Sequence, residues 1–238
     1  MCTKESRRGF DPEDERFFSY EAIKYLKIAQ EEIQWLIDRD YKLDSAANFV
    51  GNHYLLSSRQ RLALKRVSAT STQYRKRKSS LLPLDFLSDG CIYIDGFNLI
   101  INLEVALSGS ILVLGKDDVL RDLAGLRGTY RIIDKTDMAL KLIGKVLNEH
   151  SVPEVKFFLD KPVSNSGRLK DKIFESAKFW NIPTKVELVR NPDSILSKME
   201  RVVTGDSIIL DNCTSWFNLS RIIVRSYIKD AWIVKLHK

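Results

Sequence analysis

Cys91-Ile92-Tyr93-Ile94-Asp95-Gly96-Phe97-Asn98 is a short apolar, β-branched run that stops on an aspartate and turns on a glycine. A run of that length bounded by a turn residue reads as a buried strand. In open parallel sheets, ligand sites lie beyond the carboxyl ends of the strands, where this strand would deliver Asp95. The same pattern returns three times. Residues 155–159, apolar except for Lys156, run into Asp160, 185–189 lead to Asn191-Pro192-Asp193, and 201–204 lead through Gly205 to Asp206. Helical spacing of apolar residues over 137–148 and 169–180 separates the runs, so strands alternate with helices. That alternation predicts an α/β domain with a mostly parallel sheet over residues 86–238.

In such a sheet Asp95, Asp160, Asp193 and Asp206 share one edge. Converging unpaired carboxylates repel and raise one another's pKa values unless a divalent cation sits among them, and hard oxygen donors suit Mg²⁺ or Mn²⁺. The bland alternative makes each aspartate an independent helix cap, which leaves open why Ser or Thr never takes the place. Asn98, three residues past Asp95, would face the same pocket if a helix starts there. The loop 161–168 offers Ser164, Asn165, Ser166 and Arg168, donors that suit a phosphate, although Ser166 also reads as an ordinary helix cap. The acid-rich segment 116–122 is either a surface turn or a source of further carboxylates, with Asp122 the outer candidate. Asp211, five residues beyond Asp206, is a second. Trp216 and Phe217 read as core, and 221–228 and 232–236 as closing strands.

Ahead of residue 85 the periodicity is helical. Ile23, Leu26, Ala29, Ile33, Leu36 and Ile37 follow three- and four-residue steps. A short helix follows with Asp44 as its cap and Gly51 as its left-handed stop, then a helix begins at Ser57 or Ser58. Helix, glycine turn and basic helix outline a helix-turn-helix. No acid stands between Asp44 and Asp85, while Arg59, Arg61, Lys65, Arg66 and residues 75–78 are all basic. One-signed charge of this kind fits phosphate contact better than a solvated face does. Ser79, Ser80 and Pro83 mark a linker, so a small all-α unit over 1–85 is expected, its first 14 residues frayed.

The formal charge of +7 makes nucleic acid a natural partner. No apolar run approaches a membrane span and the N-terminus lacks a signal core, so a soluble, cytoplasmic protein with no membrane partner is expected. Cys2, Cys91 and Cys213 are scattered, as are His53, His150 and His237, which argues against a disulfide framework or a zinc site.

Asp95-Gly96-Phe97-Asn98 resembles the opening Asp-Gly-x-Asn of the NYN branch of the PIN-like nucleases, and Thr204-Gly205-Asp206-Ser207 resembles its late Ser/Thr-Gly-Asp-Ser. Asp193 matches the intermediate acid, and Asp160 a position where some branches carry one. The whole chain is similar to an uncharacterised prokaryotic family that joins a short N-terminal domain of unknown function to a PIN-like domain. Residues 43–66, 160–168 and 191–193 carry that likeness. One departure is Ile208, where the branch carries a second acid. The resemblance implies a PIN-like three-layer fold and a Mg²⁺- or Mn²⁺-dependent ribonuclease acting on structured RNA. Asp95, Asp193 and Asp206 would hold the metal with Asp160 nearby, and Asn98 and Arg168 would position the phosphate. Ile208 favours a second reading, an RNA-binding adaptor on the same scaffold. A DNA-binding regulator built on the helix-turn-helix outline is a third, and a homodimer is left open.

Overall fold

In the computed structural model, which describes residues 6–125 and 128–237, Ile92–Asp95 is strand β1 at the centre of a five-stranded sheet. It pairs with β4 (Val155–Asp160) on one side and β6 (Val202–Val203) on the other. Outside them lie β5 (Thr184–Val189) and β7 (Trp216–Phe217). The order is β5-β4-β1-β6-β7, and every pairing is parallel.

Period-two alternation sends the strand residues to opposite faces. Ile92, Ile94, Phe157, Leu159, Val203 and Phe217 enter the main core, under α6 (Gly96–Leu107), α7 (Asp134–Glu149), α8 (Ser166–Ala177) and α11 (Leu219–Tyr227). Phe158, Val202 and Trp216 enter a smaller core on the other face, beneath α9 (Pro192–Leu196) and α10 (Ser207–Asn212). Because both faces are covered at the centre of the sheet, β1 reads as a nearly continuous apolar run, whereas the edge strand β5 alternates with Lys185 and Glu187. Each fully buried large side chain contributes about 1.5–3 kcal/mol.

A second sheet has the order β3-β2-β8, formed by β2 (Leu112–Leu114), β3 (Leu120–Asp122) and β8 (Ile233–Lys235). Its outer face joins a third core. Ile111, Val113, Leu123, Val234 and Leu236 pack with residues of α2 (Tyr20–Ile37), α3 (Leu43–His53) and α4 (Ser58–Val67). A short α1 (Asp14–Phe17) precedes these helices, and α5 (Ser71–Ser80) follows them.

Several expectations are corrected. Residues 221–227 are helical and Ile228 is their C-cap, because Leu219, Ile223 and Val224 turn one stripe of α11 into the main core. Asp44 lies inside α3, whose N-cap position is Lys42, and Gly51 also lies within the helix rather than stopping it. Ser79 and Ser80, expected in a linker, instead end helix α5, which also carries the basic run 75–78 and begins with a capping box of Thr70 and Gln73. Residues 6–14 are tied down: Arg8 pairs with Glu104 and Asp14 with Arg59. Cys91 is half-buried just ahead of β1 rather than buried within it. Cys2 lies outside the described residues. No helix among those described is long and apolar enough to cross a membrane.

Candidate functional site

Parallel strands deliver their carboxyl ends to one side, and there the four aspartates meet. Asp95 ends β1, Asp160 ends β4, Asp193 sits in the first turn of α9 beyond β5, and Asp206 follows β6. All four line a single cleft of about 280 Å³, with Asp122 from β3 and Asn98 from α6. Arg66 enters the same cleft from α4.

Local geometry explains how the carboxylates are aimed. Asp95 caps α6, and its second oxygen accepts the Thr204 hydroxyl at 2.8 Å. Asp206 caps α10, accepting from the amides of Ile208 at 2.8 Å and Ile209 at 3.3 Å. Asp160 and Asp193 cap nothing. Asn165 occupies the cap position of α8, and Asn191 caps α9. Independent capping therefore accounts for only half of the recurring pattern.

Two glycines bring the backbone close at this edge. A Cβ on Gly96 would stand 2.5 Å from Leu159 Cδ2, and one on Gly205 would stand 3.2 Å from the Leu120 carbonyl. Gly205 N donates to Asn98 Oδ1 at 2.7 Å, which latches the β6–α10 turn to the start of α6. That bond leaves Nδ2 as the remaining polar group of Asn98 at the cleft.

The cleft is electrostatically crowded. Burial, with the charges of Asp206 and Asp193, pushes the Asp95 carboxyl up to about 7 against the opposing Thr204 and Asn98 hydrogen bonds. Burial and then Asp206 and Asp160 raise Asp193, and burial raises Asp160. Asp160 Oδ1 is buried without a hydrogen-bond partner. A buried carboxylate oxygen in that state is costly unless a cation or proton satisfies it. These all-oxygen donors fit Mg²⁺ or Mn²⁺ in kind. Among the described residues, however, no three His, Cys, Asp or Glu side chains stand grouped to hold a metal ion.

The other expected site residues divide. Asp122 lines the cleft and accepts the Ala124 amide at 2.8 Å. Asp211 does not line it, because Arg77 and Gln73 of α5 engage its carboxylate. Arg59 binds Asp14 with two nitrogens and also the carbonyls of Gly9 and Leu123. Arg61 closes the end of α3 through the Asn48, Gly51 and Leu56 carbonyls and Asn52 Oδ1. Their donors are spent inside the fold, so neither is a free phosphate contact. Lys65 pairs with Asp44, whose carboxyl it holds below the usual range.

Two of the loop donors are likewise engaged, Asn165 Nδ2 donating to the Tyr130 carbonyl and Ser166 Oγ to Lys161 O, while Ser164 Oγ accepts from Tyr130 N. Arg168 is exposed on α8 and has no partner among the described residues. Sequence reasoning missed the role of Thr204, whose place two residues before Asp206 was its one signal. It also missed Asp117, buried between Arg77 and Arg121 at 2.7 Å from each. Arg121 Nε in turn donates to the Gly205 carbonyl at 3.0 Å, so α5 is wired to the turn beside Asp206.

Residues 84–222 match the family described as Domain of unknown function (DUF5616), and residues 25–79 match Protein of unknown function (DUF434). An uncharacterized protein of Methanocaldococcus jannaschii is 38% identical over 182 residues, 76% of this chain and 87% of that protein. No solved structure matches the chain.

Proposed function

We propose that this chain, which belongs to the family described as Domain of unknown function (DUF5616), is a metal-dependent ribonuclease hydrolysing phosphodiester bonds in the acidic cleft. One observation carries the reading. Four carboxylates, distant in sequence, converge at the ends of parallel strands, and Asp95, Asp160 and Asp193 among them are held above their ordinary pKa. Asp95 and Asp206 also cap helices, but Asp160 and Asp193 are neither capping nor ion-paired among the described residues, and one buried oxygen of Asp160 is unsatisfied.

Mg²⁺ or Mn²⁺, when bound, would neutralise the scissile phosphate and supply a water acidic enough to attack it. Asp95, Asp193 and Asp206, which line one cleft without standing grouped around an ion, would have to draw together to hold it, with the free oxygen of Asp160 beside them. Thr204 fixes the orientation of Asp95, and the Asn98–Gly205 latch fixes the spacing of the Asp95 and Asp206 turns. Arg66 has no partner among the described residues and faces the cleft, where it can orient a phosphate. The protein should cleave RNA with Mn²⁺ and not with EDTA, and Asp206→Asn should abolish that cleavage. RNA left intact in every divalent metal, or cleavage that survives Asp206→Asn, would sink the assignment.

A second reading, an RNA-binding adaptor, is favoured by Ile208. Its side chain is 61% exposed at the position where the nuclease resemblance places an acid. The adaptor would retain RNA in a salt-sensitive way without cutting it. The regulator reading is the least favoured, since Arg59 and Arg61 of its reading helix are turned inward and Arg66 faces the acidic cleft.

A further inference from the structure

A second cavity of opposite polarity adjoins the acidic cleft. Ile101 lines both, and Asp122 of the cleft is two residues from Ala124 of the second cavity. Arg7, Arg8 and Arg131 line this cavity of about 220 Å³, and among the described residues no acid does. That volume is below the ~300–1,000 Å³ of clefts that enclose drug-sized ligands, and suits one phosphate with part of a nucleoside.

Two of the three guanidiniums are held, and the set is barely neutralised. Arg8 Nε donates to the buried Glu104 at 2.8 Å, one terminal nitrogen donates to the Arg131 carbonyl, and the group lies 4.7 Å from the Tyr130 ring centroid. Glu104 is itself anchored from behind by the hydroxyls of Tyr130 and Thr136. Arg7 donates to the carbonyls of Ser108 and Gly109 and stacks 3.9 Å from the Phe10 ring centroid. Carbonyls and rings orient a guanidinium without removing its charge. The Arg131 side chain has no hydrogen-bond or ionic partner among the described residues. One carboxylate therefore offsets three cations. The wall itself is built: Arg59 clamps Gly9 O and Leu123 O, at 2.7 Å each, and so fixes the N-terminal segment that carries Arg7 and Arg8.

A polyanion has a reason to use such a place. The acidic cleft repels the phosphates on either side of the scissile bond, so an adjoining cationic cavity offsets that repulsion. We propose that the Arg7–Arg8–Arg131 cavity binds a phosphate of the RNA strand whose scissile bond lies in the acidic cleft, an inference that rests on the ribonuclease reading. That phosphate is either a terminal phosphomonoester or an internal phosphodiester.

The test is binding in EDTA, where no cleavage intrudes, of a short single-stranded RNA ending in a 5′-phosphate, a 3′-phosphate or hydroxyls only. Wild type and Arg131→Ala are compared by fluorescence anisotropy across about 50–200 mM salt. The variant should bind about tenfold more weakly at low salt, with the slope of log K against log salt reduced by about 0.7. Arg131→Lys, which keeps the charge, should recover most of the slope. Loss confined to one phosphorylated end identifies a terminal phosphate, and equal loss for all three RNAs an internal one; both support the cavity. Equal affinity and slope for wild type and Arg131→Ala on every RNA overturn it, as does an absence of RNA binding by wild type. A thermal melt checks that the variant is folded. Mn²⁺-dependent cleavage is followed in parallel. Binding that depends on Arg131 without cleavage removes the hydrolase and leaves the cavity, whereas cleavage with Arg131-independent binding removes the cavity and leaves the hydrolase.

Discussion

Asp95→Asn should stabilise the metal-free protein at alkaline pH, even as it destroys the proposed chemistry. Burial and the neighbouring charges lift the Asp95 carboxyl from its ordinary 3.8 to about 7. Between those values the folded protein keeps a proton that the unfolded chain has released, so stability falls as pH rises through this window and levels off above it. At about 1.4 kcal/mol per tenfold change in proton affinity, ionised Asp95 costs the fold up to about 4 kcal/mol at about pH 8. Asparagine carries no charge to desolvate. Thr204 Oγ1 and Asn98 N, at 2.8 and 3.5 Å, address different oxygens of Asp95, one of which becomes an amino group in asparagine, and losing one bond costs about 1 kcal/mol. The net expectation is a gain of about 3 kcal/mol near pH 8 and a loss of about 1 kcal/mol near pH 4. Asp160 and Asp193 are raised too, so some decline with pH persists in the variant. The informative quantity is the difference between the two proteins, measured by urea unfolding in EDTA over a pH series. Mn²⁺ should reverse the order by stabilising the wild type more than the variant. A difference that does not vary with pH, or a variant less stable than wild type near pH 8, would refute the shared-field account of the cleft.

Asp206→Asn keeps an acceptor for the Ile208 and Ile209 amides, so unfolding should change by under about 1 kcal/mol while metal-dependent cleavage is lost; a large drop in stability would mean that Asp206 is chiefly structural. Arg77→Ala strands Asp117, 1% exposed at its side chain, and Asp211. It should cost about 3 kcal/mol in chemical denaturation, toward the low end for a broken buried pair because Arg121 still holds Asp117. Arg59→Ala should cost about 3–5 kcal/mol by leaving the buried Asp14 unpaired. A loss of RNA affinity at unchanged stability would restore Arg59 as a surface contact.

Much of the scaffold was legible because period-two and helical patterns are local. Ile92, Ile94 and Tyr93 announce a strand buried on both sides, and Asp95-Gly96 announces its end. The 221–228 segment misled for the opposite reason. Its β-branched residues Ile222, Ile223 and Val224 suggest a strand, whereas the stripe formed by Leu219, Ile223 and Val224 against the main core makes it α11. Basic residues misled most. Arg59, Arg61 and Arg77 look alike in a sequence, yet their partners lie 5 to 134 residues away along the chain.

From residue types and spacing alone came the alternation of strands and helices, the four strand-end aspartates and the basic excess of the N-terminal region. Those properties depend on near neighbours and on the two backbone periodicities. Tertiary structure alone decided which charges remain free. Strand order placed Asp95, Asp160, Asp193 and Asp206 in one cleft, packing diverted Asp117 and Asp211 into ion pairs with α5, and the N-terminal segment set Arg7 and Arg8 beside Arg131. A charge becomes structural or available according to what the fold brings within about 4 Å of it, and that distance is not written in chain order.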